Sequence, residues 1–165
     1  MNDSKAALRR VHQLTGFFIF GLVVSGLTAI PLIPELNWLL STFGDGGMMM
    51  GWIREVRDAL VVTDAAYPFL AYGTDWLAFG HFVIALAFVG AWRDPVRNIW
   101  LFQFGMLACA LVLPYALFFG AIREIPMFWR IVDIMFGVIG FLPVWYGHRL
   151  AKRLEQLSMK AHFRG

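Results

Sequence analysis

The sequence is short of most of what a soluble enzyme is built from. Only 15% of its 165 residues are charged, where about 25% is usual for a soluble domain. There is one cysteine, Cys109, so no internal disulfide can form and no CxxC or Cys/His metal spacing exists. A Walker loop, an HExxH, a GxSxG and a pair of catalytic carboxylates are all missing. These absences lean the reading away from an enzyme without excluding one. Internal repeats and low-complexity segments are missing as well.

What the chain has in quantity is apolar surface. It is 59% hydrophobic, with a mean hydropathy of +0.65. A globule of this size could not hide that much grease from water, so the composition points to the bilayer as solvent. The net charge of +3 needs no polyanion partner, because the basic residues gather on one side of the expected membrane. No nucleic-acid partner is expected.

The expected fold is all-α, a single integral membrane domain over residues 1–165. Its core is a four-helix transmembrane bundle, with spans near 11–33, 74–92, 99–119 and 127–148. The N-terminus has a basic start and then an apolar run, as a signal peptide does. The run from Leu14 to Ile33 is longer than a usual signal core and no A-x-A site follows, so it reads as a retained first helix. Pro31 and Pro34 end it. Gly21 and Ser25 make a small-xxx-small pair suited to close helix contact. Thr74 is placed as the N-cap of span two, and Trp76 and Trp92 sit where interfacial aromatics belong. Asp94-Pro95 marks a turn before span three, and Pro114 is expected to kink that span.

Residues 34–73 form a long segment of short helices, broken at Gly44, Gly46, Gly47 and Gly51. Asn37–Phe43 is a short apolar piece. Trp52–Val62 reads as amphipathic, with Ile53, Val56 and Leu60 inward and Arg54, Glu55, Arg57 and Asp58 turned away. Met48–Met50 with Trp52 read as a packed cap, or else as a lipid contact or lid. The tail, 149–165, is basic and amphipathic, with Leu150, Leu154 and Leu157 on one side, and is expected to lie along the membrane surface.

Charge sidedness sets the orientation. The two ends of the chain and the 93–98 connector hold ten of the fourteen basic residues and only Asp3, Asp94 and Glu155 of the eleven acids. By the positive-inside rule both termini face the cytoplasm and 34–73 lies outside. The expected location is a bacterial cytoplasmic (inner) membrane, multi-pass. The partners are then the lipid bilayer and either another membrane protein or further copies of the chain.

Ionisable residues inside spans are the candidate sites. In span four, Asp133, Gly137, Gly140, Val144 and His148 recur at steps of three and four and share one small, polar face. Asp133 and Arg130 are an i,i+3 pair able to meet on the helix surface. His81 lies about 9 Å inside span two, at about 1.5 Å per residue. A polar pocket of His81, Asp133 and Arg130, open outward, would bind a quinone headgroup or relay a proton. The plainer alternative is an Arg130–Asp133 bridge with His81 donating to a backbone carbonyl. Cys109 reads as inert core, and Gln103 as a donor across the bundle.

His12 and His148 bracket the opposite side, each near a glycine (Gly16 and Gly147). Two histidines on facing helices with room for a flat ring are what a six-coordinate b-type haem needs. The alternative is that both face lipid phosphate. The HQLTG run of the first helix resembles the first helix of membrane b-type cytochromes, which implies a haem-ligating role for His12. The pattern WRDPVRN…FGM…P…IREIP..WR..D..FG, running from Trp92 to Gly137, resembles small bacterial inner-membrane proteins of four spans, which implies the topology and a bacterial source but no activity. The leading functional reading is a non-catalytic accessory or scaffold subunit. The alternatives are a small electron-transfer subunit holding haem b or quinone, and an oligomeric transporter or channel.

Overall fold

A computed structural model describes residues 2–44 and 46–162. Asp45, within the expected 34–73 segment, and residues 163–165 of the expected tail lie outside it. The described residues form six helices and no strand: α1 (Asn2–Ala29), α2 (Leu32–Phe43), α3 (Gly47–Ala66), α4 (Tyr72–Arg93), α5 (Ile99–Ile122) and α6 (Met127–His162). A single 3-10 turn, Pro68–Ala71, precedes α4. Helices α1, α4, α5 and α6 are long and apolar enough to cross a membrane. The four expected spans are therefore present as helices, with α2 and α3 between the first and second.

The boundaries differ from expectation where local chemistry is permissive. α1 stops at Ala29, two residues before Pro31, because the residue before a proline is pushed out of the helical region. α2 and α3 are longer than the apolar pieces that marked them. Gly44 (φ 72°) and Gly47 (φ 87°) turn the chain between them, a backbone state that glycine enters without steric cost. Gly51 breaks nothing and lies inside α3. Thr74 is not a cap: it sits within α4 and its hydroxyl donates to the carbonyl of Ala71 at 2.7 Å. α5 runs through Pro114 as one helix.

The chain divides into two compact units, Leu22–Ile84 and the remainder, Met1–Gly21 with Ala85–Gly165. In the first unit Ile53 is the buried anchor of α3. Arg57 is not turned fully away: its Nη1 donates to Asn37 Oδ1 of α2 at 3.4 Å and its Nε meets Asp58 Oδ1 at 2.7 Å. Met48 and Met49 are exposed on the first turn of α3, and Met50 and Trp52 are part-buried. Where α1 passes α4 in this unit, a Cβ on Gly26 would lie 2.6 Å from the ring of Phe82.

The second unit is built on an antiparallel pair, α5 and α6. Phe102 meets Gly147, Gly105 meets Val144, Cys109 meets Gly140 and Gly137, and Gly120 meets Arg130. Each step forward along α5 is matched by an equal step back along α6, as a short connector demands. The small face of α6 is the one that packs. A Cβ on Gly137 would fall 2.7 Å from the Cys109 carbonyl oxygen, and one on Gly147 would fall 2.9 Å from Phe102. The opposite face, with Phe136, Ile139 and Leu142, is exposed. Phe88 of α4 is fully buried between Phe18 of α1, 4.7 Å between ring centres, and Phe102 of α5, at 6.4 Å.

The tail does not leave the bundle. α6 continues as one helix of 36 residues, about 54 Å long, because nothing between Arg149 and Lys160 breaks it. Leu150 and Ala151 are buried, and Arg153 pairs with Asp3 of α1 at 3.4 Å. Leu154 and Leu157 share a cleft of about 530 Å³ with Leu8 and the Arg93–Val96 connector. Of the apolar stripe that marked the tail as amphipathic, Leu150 is buried and Leu154 part-buried, while Leu157 stays exposed at the edge of that cleft.

Candidate functional site

The turn between α5 and α6 places the polar residues at that end of the pair. α5 closes with two backbone bonds, from Ile125 N–H to Gly120 O at 2.9 Å and from Glu124 N–H to Ala121 O at 3.2 Å. This is a Schellman ending, and it needs a left-handed residue just past the helix. Glu124 fills that position at φ 57°. Arg130, one turn into α6, folds back over the turn, and its Nε donates to the Ile125 carbonyl at 2.6 Å. Gly120 makes room beneath it, since a Cβ there would lie 2.8 Å from Arg130 Cδ.

Arg130 therefore serves the turn, and the expected Arg130–Asp133 ion pair is not formed among the described residues. The reason is the direction of the side chains. Helical side chains lean toward the N-terminus, so an arginine placed before its acid leans away from it. The favourable order puts the acid first.

Asp133 is half-buried and faces α5. Between the Val112–Gly137 and Gly120–Arg130 contacts it falls level with Ala116. With Leu111, Val112, Tyr115, Phe119 and Arg123 it lines an open groove of about 720 Å³. Tyr115 and Phe119 form an aromatic wall, with ring centres 4.5 Å apart and a tilt of 38°. Sequence reasoning named Asp133 but missed the rest of the lining. The available signal was Arg123 beside the turn and a tyrosine and phenylalanine one helical turn apart on α5.

His81 belongs to the Leu22–Ile84 unit, whereas Arg130 and Asp133 belong to the other. Its Nδ1 lies 2.8 Å from the Leu77 carbonyl oxygen. A carbonyl only accepts, so Nδ1 is the donor. This is the backbone hydrogen bond of the plainer alternative.

His12 and His148 lie in one unit. α1 and α6 run antiparallel there, tied by Asp3–Arg153 at one end and by Phe18 against Gly140 at the other. Interpolating between these contacts puts His12 and His148 within about 4 Å of a common level along the helices. The ring of His12 lies 5.3 Å from that of Trp92. Nε2 of each histidine and Oγ1 of Thr15 are buried and have no hydrogen-bond partner. A buried polar atom without a partner is costly and calls for water or a ligand. Each Nε2 is covered by protein, so neither is open to an iron as the rings stand. No cluster of three or more His, Cys, Asp or Glu suited to a metal exists among the described residues. Gln103 is exposed on α5. Asn98 closes the connector: its Nδ2 donates to the carbonyls of Gly90 at 3.1 Å and Asp94 at 2.9 Å, tying the start of α5 to the end of α4.

Comparison of the chain with protein-family models, with curated proteins and with solved structures finds no match.

Proposed function

We propose that the chain is a four-span protein of a bacterial cytoplasmic membrane that serves as a non-catalytic accessory or scaffold subunit. Both termini face the cytoplasm, and α2 and α3 lie outside. The charge sidedness of the sequence supports this orientation. The observation that carries the functional reading is a seam on α1. Gly21, Ser25 and Thr28 lie on one face of that helix, all are exposed, and a Cβ on Gly21 would meet nothing within 4 Å. The glycines of α6, by contrast, are used up against α5 and α1. A small-residue seam left open within a bilayer lets a second helix approach closely. The occupant is a transmembrane helix of a partner protein or of a second copy.

Cross-linking tests it. With Cys109 replaced by alanine, Ser25→Cys should give one discrete adduct in native membranes, and Leu107→Cys, on a lipid-facing flank of α5, should not. Equal or absent cross-linking at the two positions would refute the seam.

A second reading has its own observation. The unpartnered Nε2 atoms of His12 and His148, within about 4 Å of a common level, support an electron-transfer subunit in which the two rings turn to hold a b-type haem. The absorption spectrum of the purified protein decides: a Soret band establishes haem, and a colourless protein removes this reading.

A further inference from the structure

We propose that the α5–α6 groove binds the ring of a membrane-soluble hydroquinone, with one ring hydroxyl donating to Asp133 and the isoprenoid tail lying along α5. The proposal goes beyond the accessory role and does not use the α1 seam. It rests on the place of the groove in a membrane-spanning pair.

The first argument is size and shape. The groove, of about 720 Å³, falls in the range of about 300–1,000 Å³ typical of small-ligand sites. Its α5 wall runs from Ala108 to Arg123, about 22 Å, and apart from the Tyr115 hydroxyl is apolar as far as Arg123. That is a track for a hydrocarbon chain with a polar group at one end.

The second argument is what Asp133 needs. Its natural partner, Arg130, is held by the Ile125 carbonyl. A carboxyl oxygen accepts hydrogen bonds, and in a bilayer there is no bulk water to supply a donor. A ligand hydroxyl would supply one.

The third argument is depth. Asp133 lies six residues into α6, about 9 Å below the start of the span. A phospholipid offers only acyl chain at that level, since its charged groups stay at the interface near Arg123. A hydroquinone ring is carried on its chain into the hydrocarbon and presents hydroxyl donors there. Tyr115 and Phe119, 4.5 Å apart on the groove wall, give the ring a face to pack on. Arg123, at the rim, offers donors to the second ring oxygen. The proposal is one of binding and includes no electron transfer.

The test uses the full chain in nanodiscs with decylubiquinol as probe and decanol, which has the hydroxyl and the tail but no ring, as control. Binding is read by calorimetry and by the rise in melting temperature. Decylubiquinol should bind saturably and decanol should not. Asp133→Leu removes the acceptor, and Leu111→Trp fills the groove while leaving Asp133 in place. Each should weaken binding by roughly tenfold or more, the equivalent of one charge-assisted hydrogen bond or a blocked site. If Asp133→Leu fails to fold, Leu111→Trp decides alone. The proposal is overturned if the wild type shows no saturable binding or if decanol acts as decylubiquinol does. It is also overturned if the folded variants bind like the wild type.

Discussion

A Cβ on Gly137 would stand 2.7 Å from the backbone carbonyl oxygen of Cys109. The neighbour is backbone, and a carbonyl inside a helix cannot swing aside as a side chain can. Gly137→Ala should therefore force the two helices apart and cost about 1–3 kcal/mol, the usual range for overpacking. Gly21→Ala, with nothing near it in the chain, should stay within about 0.5 kcal/mol. Unfolding of both variants in detergent by a graded denaturant measures the contrast. Equal effects would mean that the α5–α6 crossing is looser than the contact implies.

Glu124 occupies a left-handed position, φ 57°, at the end of α5. A non-glycine residue there costs about 1–2 kcal/mol, of which glycine's greater freedom in the unfolded chain takes back about half. Glu124→Gly should raise stability by about 0.5 kcal/mol. A fall in melting temperature would show that the Glu124 side chain makes an interaction worth more than the strain.

Arg130 straps the same turn through its 2.6 Å bond to Ile125 O. Arg130→Met keeps most of the stem and removes the donor. It should cost about 1.5–3 kcal/mol, the range for a hydrogen bond to a charged group. Backbone amide exchange at Ile125 and Trp129 should speed up in the variant, and unchanged exchange would rule out the strap.

Asp133 does not pair with Arg130 as the sequence suggested, and this sets the stability expected of its variants. With Arg130 as its partner, Asp133→Leu would have orphaned a guanidinium and been costly. With Arg130 on Ile125, neither Asp133→Leu nor Asp133→Asn leaves a charge unpaired. Removing a carboxylate from the hydrocarbon gains up to the about 2.5–3.5 kcal/mol that insertion scales assign at a helix centre, and less toward the edge. Both variants should melt no lower than the wild type in the absence of ligand, with leucine highest. Marked destabilisation by leucine alone would restore the ion pair.

Orientation is tested by paired reporters. A periplasm-active reporter should work at Gly46 and fail after residue 165, and a cytoplasm-active one should do the reverse. An external C-terminus would overturn the proposed sidedness.

The sequence by itself determined the helices and how many of them are long enough to cross a membrane. Both follow from sums along the chain. Apolar content adds residue by residue, backbone hydrogen bonds in a helix reach only four residues, and Pro31, Gly44 and Gly47 act where they stand. The face of α6 that packs was legible too, because Gly137, Gly140 and Val144 recur at helical spacing and a small face admits a neighbour. The tertiary structure decided the partners. Arg130 and Asp133 are three residues apart and look paired, yet the lean of side chains toward the helix N-terminus sends Arg130 to Ile125 and leaves Asp133 facing α5. Leu154 and Leu157 look like a membrane-surface stripe, yet α1 and the Arg93–Val96 connector lie beside them. Which residue meets which depends on helix crossing and rotamer direction, and neither is additive along the chain.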